Sequence, residues 1–219
     1  MFTSGTELTT ALTDALIALL SIYIFIRFLY LRFDNKYMRY TWLFFFVFMF
    51  IAGTMGFIIH GITLNINVIN SLWNVLLFIF CIILCLLLLT SVIEIKNNNI
   101  NKKNVIMLSC ISLSIFIIIY VLSLYGFDIV LLYSLFVGVS VIYSLSVYFI
   151  LYFKHKEKNN IYFIISILLQ FIGGIVLTSK SFYIKLFLEY DYNSFYHVCL
   201  LFTLYLFYLG NKKRINVTF

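Results

Sequence analysis

Four side chains able to do acid, base or metal chemistry stand inside otherwise apolar runs of this chain. Glu7 and Asp14 lie in GTELTTALTDALIALLSIYIF (residues 5–25), His60 near the end of FIAGTMGFIIHG (50–61), and His197 in EYDYNSFYHVCLLFTLYLFYLG (189–210). Carboxylates and imidazoles exchange protons near neutral pH, and both are ligand types that zinc accepts. An acid near the middle of a bilayer costs roughly 2.5–3.5 kcal/mol on insertion scales, so Asp14 is expected to face the interior of a helix bundle.

Spacing groups these residues further. Glu7, Thr10 and Asp14 are three and four apart and share one helical face, which Ala11, Ala18 and Ser21 continue. At 1.5 Å per residue, Asp14 lies about 10 Å deeper than Glu7. Met49, Gly53, Gly56 and His60 form a second stripe, Asn193 and His197 a third. Asn70, Trp73 and Asn74 head the next apolar run, and Gln170, Gly173, Gly174 and Thr178 mark another. Plainer readings stand beside these: an acid at a helix N-terminus suits the dipole, and glycines in membrane helices pack helices together.

The elements that must carry these side chains follow from composition. Of 219 residues, 64% are hydrophobic and 11% charged, and the mean hydropathy is +1.08, values of an integral membrane protein. A crossing takes about 20 apolar residues, and the apolar runs fall at 8–31, 41–61, 71–93, 105–125, 129–153, 161–179 and 194–209. They are too long and too continuously apolar for barrel strands. The expected fold is all-α: a single transmembrane domain, residues 1–219, built as a seven-helix bundle. MFTSGTELTT has no Lys or Arg, so the first run reads as a retained helix and not as a signal peptide.

Basic residues set the expected orientation. Thirteen of the 15 Lys and Arg fall at the first, third and fifth connections or in the C-terminal tail; only Lys180 and Lys185 fall on the other side. The positive-inside rule then puts the N-terminus outside and the C-terminus in the cytoplasm. The net charge of +7 is thus a topology signal, and the short loops offer no surface for nucleic acid. Cys81, Cys85, Cys110 and Cys199 lie inside apolar runs and read as packing residues. With this topology, Glu7, Asp14, His60, Asn74 and His197 converge from four helices on the outer half of the bundle.

Seven helices, an outside N-terminus, GxxxHG at 56–61 and NSFYHVCLLFTLYLFY at 193–208 resemble the CREST superfamily of membrane hydrolases, which includes alkaline ceramidases and adiponectin-receptor (PAQR) proteins. The resemblance implies a zinc ion held by three histidines near the N-terminal side. This chain departs from it: Asn193 stands where the first histidine of the seventh-helix pair would be, Gly56 replaces a serine, and Asn74 is the nearest match to an aspartate. A metal site here would therefore be His60, His197 and Asp14. Glu7 would be the acid or base, and Thr10, Gly56, Asn74, Gln170 and Asn193 would line the cavity. The expected function is hydrolysis of a lipid amide or ester in a bacterial cytoplasmic membrane, with zinc as cofactor and membrane lipids as partners. A receptor, sensor or scaffold with a buried polar network is the alternative, and a proton or small-solute transporter the second one.

Overall fold

A computed structural model describes residues 3, 5–96, 102–125, 129–185 and 188–216. The Asn-rich segment 97–101, residues 126–128 and the end of the tail at 217–219 lie outside the described residues. Among the described residues the chain forms seven α-helices: α1 (Thr6–Tyr30), α2 (Lys36–Gly61), α3 (Ile66–Ile95), α4 (Lys102–Leu124), α5 (Ile129–Phe153), α6 (Ile161–Ser179) and α7 (Tyr192–Asn216). Among the described residues, α1, α2, α3, α5, α6 and α7 contain stretches long and apolar enough to cross a membrane.

α5 and α6 coincide with their apolar runs, whereas α1, α2, α3, α4 and α7 begin before theirs and α3 and α7 also end beyond them, because hydropathy marks the part that matches hydrocarbon while backbone hydrogen bonds continue into polar residues until a cap stops them. Asn35 caps α2, its side chain accepting from the amides of Tyr37 at 2.8 Å and Met38 at 3.4 Å. Asn65 caps α3 through the Asn67 amide at 2.9 Å. Gly5 precedes α1 with φ of 64°, a conformation that costs glycine little.

Contacts close six helices into a ring. α1 packs on α2, α2 on α3, α3 on α5, α5 on α6, α6 on α7 and α7 back on α1, and α4 lies outside against α3 and α5. The pairs α1–α2 and α6–α7 are the most extensive. Inside the half of the ring away from the N-terminus, Trp42, Phe28, Phe46, Phe163 and Phe207 are fully buried around one another, with Trp42 5.2 Å from Phe207 and 5.9 Å from Phe163. Between helices already in an apolar solvent, such interdigitation and dispersion replace the hydrophobic effect as the cohesive force.

A two-stranded hairpin between α6 and α7, β1 (Tyr183–Lys185) and β2 (Glu189–Asp191), is a feature the sequence reading did not anticipate. It pairs antiparallel, with Tyr183 opposite Asp191, and β2 leans on α1. The N-terminus meets the same end of the bundle: the Thr3 amide donates to the Gly61 carbonyl at 3.2 Å and its hydroxyl to the His60 carbonyl at 2.5 Å.

Gly53 permits the close α1–α2 approach. A Cβ there would stand 2.8 Å from the Ala18 amide nitrogen and 2.9 Å from the Asp14 carbonyl oxygen, both backbone atoms that cannot swing aside. Gly53→Val is expected to force the two helices apart and lower stability by about 1–3 kcal/mol. Gly174→Ala, whose Cβ would meet nothing within 4 Å, should be close to neutral. Thermal unfolding of both variants in one detergent, followed by size-exclusion chromatography, checks the contrast; equal melting points would refute it.

Candidate functional site

The four chemically capable side chains come together as two acid–imidazole pairs at the N-terminal end of the ring. The first joins α1 to the end of α2: His60 Nδ1 lies 2.7 Å from Glu7 Oε2. The second joins α1 to the start of α7: His197 Nδ1 lies 3.3 Å from Asp14 Oδ1. The pairs differ in setting. The Glu7 side chain is 55% exposed, whereas Asp14 is only 5% exposed as a residue. Both histidines are buried, and their rings lie 6.3 Å apart with planes at 69°.

Gly56 makes room for the buried acid. A Cβ at this position would fall 2.6 Å from Asp14 Oδ2 and 2.7 Å from Oδ1, so the carboxylate occupies the notch left by the missing side chain. Gly56 is thus the counterpart of an aspartate on the neighbouring helix. Asp14 Oδ2 is buried and has no hydrogen-bond partner among the described residues. Such an oxygen is costly unless something with a proton or a positive charge meets it.

Around these pairs lies a cavity of about 200 Å³ bounded by α1, α2, α3, α6 and α7. Asp14, His60, His197 and Asn193 give it polar walls, and Trp73, whose ring meets the His60 ring edge-on at 5.6 Å, stands beside the imidazole. The rest of the lining is apolar, with Ile17, Met49, Leu76 and Leu200 among it. A second cavity of about 300 Å³, almost wholly apolar, lies between α3, α5, α6 and α7 and shares Leu177 and Tyr196 with the first.

Of the residues proposed from sequence, Glu7, Asp14, His60, Gly56, Asn193 and His197 meet at this site. Thr10 is buried beside it and hydrogen-bonds Ser194 at 3.0 Å without lining the cavity. Two further residues stand outside its lining. Asn74 is exposed, and the α3 residues at the cavity are Trp73, Leu76 and Phe80. Gln170 lines the second cavity, since α6 presents Leu177 to the polar one.

Three residues were missed. Thr13 Oγ1 lies 3.2 Å from His197 Nδ1; Asp191 caps α7, accepting from the amides of Asn193 and Ser194; and the Ser194 hydroxyl bonds both Asp191 and Thr10 at 3.0 Å. Signals for them existed. Thr13 follows Thr10 by three residues on the Asp14 face, and Asp191 three before Ser194 has the spacing of an N-cap.

Neutral imidazole held at Nδ1 by a carboxylate carries its proton there and keeps Nε2 as a lone pair, the arrangement seen behind metal-ligating and base histidines. Among the described residues no three His, Cys, Asp or Glu side chains stand together as a ready ion site. Asp14 approaches His197 through Nδ1, the edge opposite to the one left for a ligand.

Fold and site together define a helical membrane-type bundle that encloses two acid–imidazole pairs. Residues 9–216 match the model of a family of unknown function, DUF6962, and the chain belongs to that family. No curated protein and no solved structure matches it.

Because Gly56 and Asp14 occupy one space, their substitutions should be coupled. Gly56→Ala is expected to destabilise the wild type yet cost little in an Asp14→Ala background, with a coupling energy of about 1 kcal/mol or more in a double-mutant cycle of thermal or denaturant unfolding. Additive effects would show that the carboxylate does not rest in the glycine notch.

Proposed function

We propose that this protein is a metal-dependent hydrolase of a lipid amide or ester, a divergent relative of the CREST superfamily. In this reading it crosses a bacterial cytoplasmic membrane seven times, with α4 as the seventh span, the N-terminus outside and the C-terminus inside. The observation that carries the reading is the pair of imidazoles facing each other across one cavity, each held at Nδ1 by a carboxylate from α1.

The donor set suits zinc in its chemistry: two imidazoles with oriented rings and a buried carboxylate oxygen, Asp14 Oδ2, that lacks a partner. In this proposal His60 and His197 would hold the ion through Nε2, and Asp14 would complete the set by leaving the Nδ1 edge of His197 and turning Oδ2 to the ion, which would supply a water of pKa about 7 and polarise a carbonyl. The chain's own groups do the rest. Glu7, half in water, orients His60 and is placed at the cavity mouth to pass a proton between the site and solvent. The apolar lining excludes bulk water and strengthens each electrostatic contact within it. The adjoining apolar cavity behind Leu177 and Tyr196 is suited to hydrocarbon, which supports a lipid as the substrate.

The absence of a ready three-ligand cluster among the described residues favours a second reading, a receptor or sensor in which the same cavity binds a small polar ligand. Elemental analysis separates the two. Detergent-purified wild type is expected to carry one zinc per chain and to release fatty acid from lipid amides or esters. His60→Ala and His197→Ala should lose both, and Glu7→Gln should weaken zinc binding by about 10–100-fold. Folded wild type with no zinc and no turnover would sink the hydrolase and leave the receptor.

Orientation has its own measurement. A membrane-impermeant thiol reagent applied to intact cells should label Tyr183→Cys and spare Lys212→Cys, each in a background lacking the native cysteines; the reverse pattern would invert the topology.

A further inference from the structure

We infer that Thr13 is a positioning residue that fixes the tautomer of His197, holding the proton on Nδ1 and turning the Nε2 lone pair toward the cavity. The argument is one of counting hydroxyl protons. The Ser194 hydroxyl has a single proton and a carboxylate acceptor, Asp191 Oδ1, at 3.0 Å. Having spent it there, Ser194 Oγ can only accept from Thr10 Oγ1, also at 3.0 Å. Thr13 donates its own proton to the Thr10 carbonyl at 2.8 Å, the shorter of its two contacts. What it offers His197 Nδ1 at 3.2 Å is therefore a lone pair.

Asp14 Oδ1, 3.3 Å from the same nitrogen, is a second acceptor when ionised. With Asp14 ionised, two acceptors converge on Nδ1 and an N–H there satisfies both. Thr13, Ser194 and His197 are buried, so water does not compete for these positions. Asp191 also stabilises the first turn of α7 by capping it, and the Ser194–Thr10 contact ties that turn to α1 beside Thr13. The amide carbonyl of Thr10 sits in the middle of the set and cannot relay a proton, which makes these contacts an orienting device and not a conduction path.

The consequence for ligands rests on the reading of the cavity as a reactive site, but the tautomer does not. A His197 that kept its proton on Nε2 would present a donor to the cavity and could neither ligate a metal nor accept a proton there.

The chain has only three histidines, so ring-15N-labelled full-length protein in detergent micelles can be assigned by single His→Gln variants. Chelator-treated protein near pH 8, where an ordinary imidazole of pKa about 6.5 is neutral, gives the tautomer directly from the two ring-nitrogen shifts. Wild type should show His197 protonated at Nδ1. Thr13→Ser, which keeps the hydroxyl, should match it, and the isosteric Thr13→Val should move the tautomer ratio toward Nε2–H by about threefold to tenfold. Wild type protonated at Nε2 would overturn the inference, as would a folded Thr13→Val with an unchanged ratio. The wild-type spectrum alone decides the first point if Thr13→Val does not fold. Zinc content and lipid turnover are separate readouts, so a failed hydrolase with an Nδ1-protonated His197 refutes the function and leaves this inference standing.

Discussion

The organisation of this molecule turns on the burial of one carboxylate. Asp14 sits two turns inside an apolar helix, and in that setting a charge or an unpaired polar oxygen is expensive. The fold answers with two neighbours, the Gly56 notch on α2 and the His197 edge on α7, and the Thr13 hydroxyl from the acid's own helix converges on the same imidazole nitrogen. That requirement explains why α1 lies so close to α2, why Gly53 meets backbone and not side chain, and why α7 enters the bundle beside α1. One oxygen still lacks a partner among the described residues. That uncommitted oxygen, facing a cavity also lined by His60 and His197, is the observation on which the proposed function leans.

The two halves of the ring divide the labour. Away from the N-terminus, close-packed aromatic rings around Trp42 give a core with little room for rearrangement. At the N-terminal end the helices part around the cavity, and their ends are tied by the β-hairpin, the Asp191 cap and the Thr3 contacts to α2. The rigid half lets the open half keep its geometry, since side chains on helices anchored at one end are held more firmly than side chains on loops.

The architecture was legible in sequence because hydrocarbon imposes it: an apolar run of sufficient length has to be a helix, and its position in the chain follows from composition alone. The choice of histidines and acids was equally visible, since ionisable groups in such runs stand out. Pairing was not. Nothing in the spacing says that Glu7 meets His60 while Asp14 meets His197, because partner choice depends on how helices rotate about their axes, and the glycines that set this rotation look the same whether they face a carboxylate or a neighbouring backbone. Asn74 shows the limit from the other side. It heads α3 at the right depth, but a turn of about 100° per residue put Trp73 at the cavity and Asn74 outside. The hairpin escaped notice because three-residue strands are shorter than any periodicity can register.

The two acid–imidazole pairs are alike in composition and unlike in physics. Glu7 and His60 lie close, but the acid is more than half in water, where solvent screens the pair and protons exchange freely. Asp14 and His197 lie further apart, but in surroundings of low dielectric, where a given charge acts over a longer distance and where any change of protonation must be matched by a neighbour. Chemistry that needs a group in contact with solvent belongs to the first pair, and chemistry that needs a fixed charge and a fixed lone pair belongs to the second. Asp14 and both histidines line the cavity while Glu7 stands behind His60 outside its lining, so the two imidazoles of one cavity answer to carboxylates in opposite states of solvation.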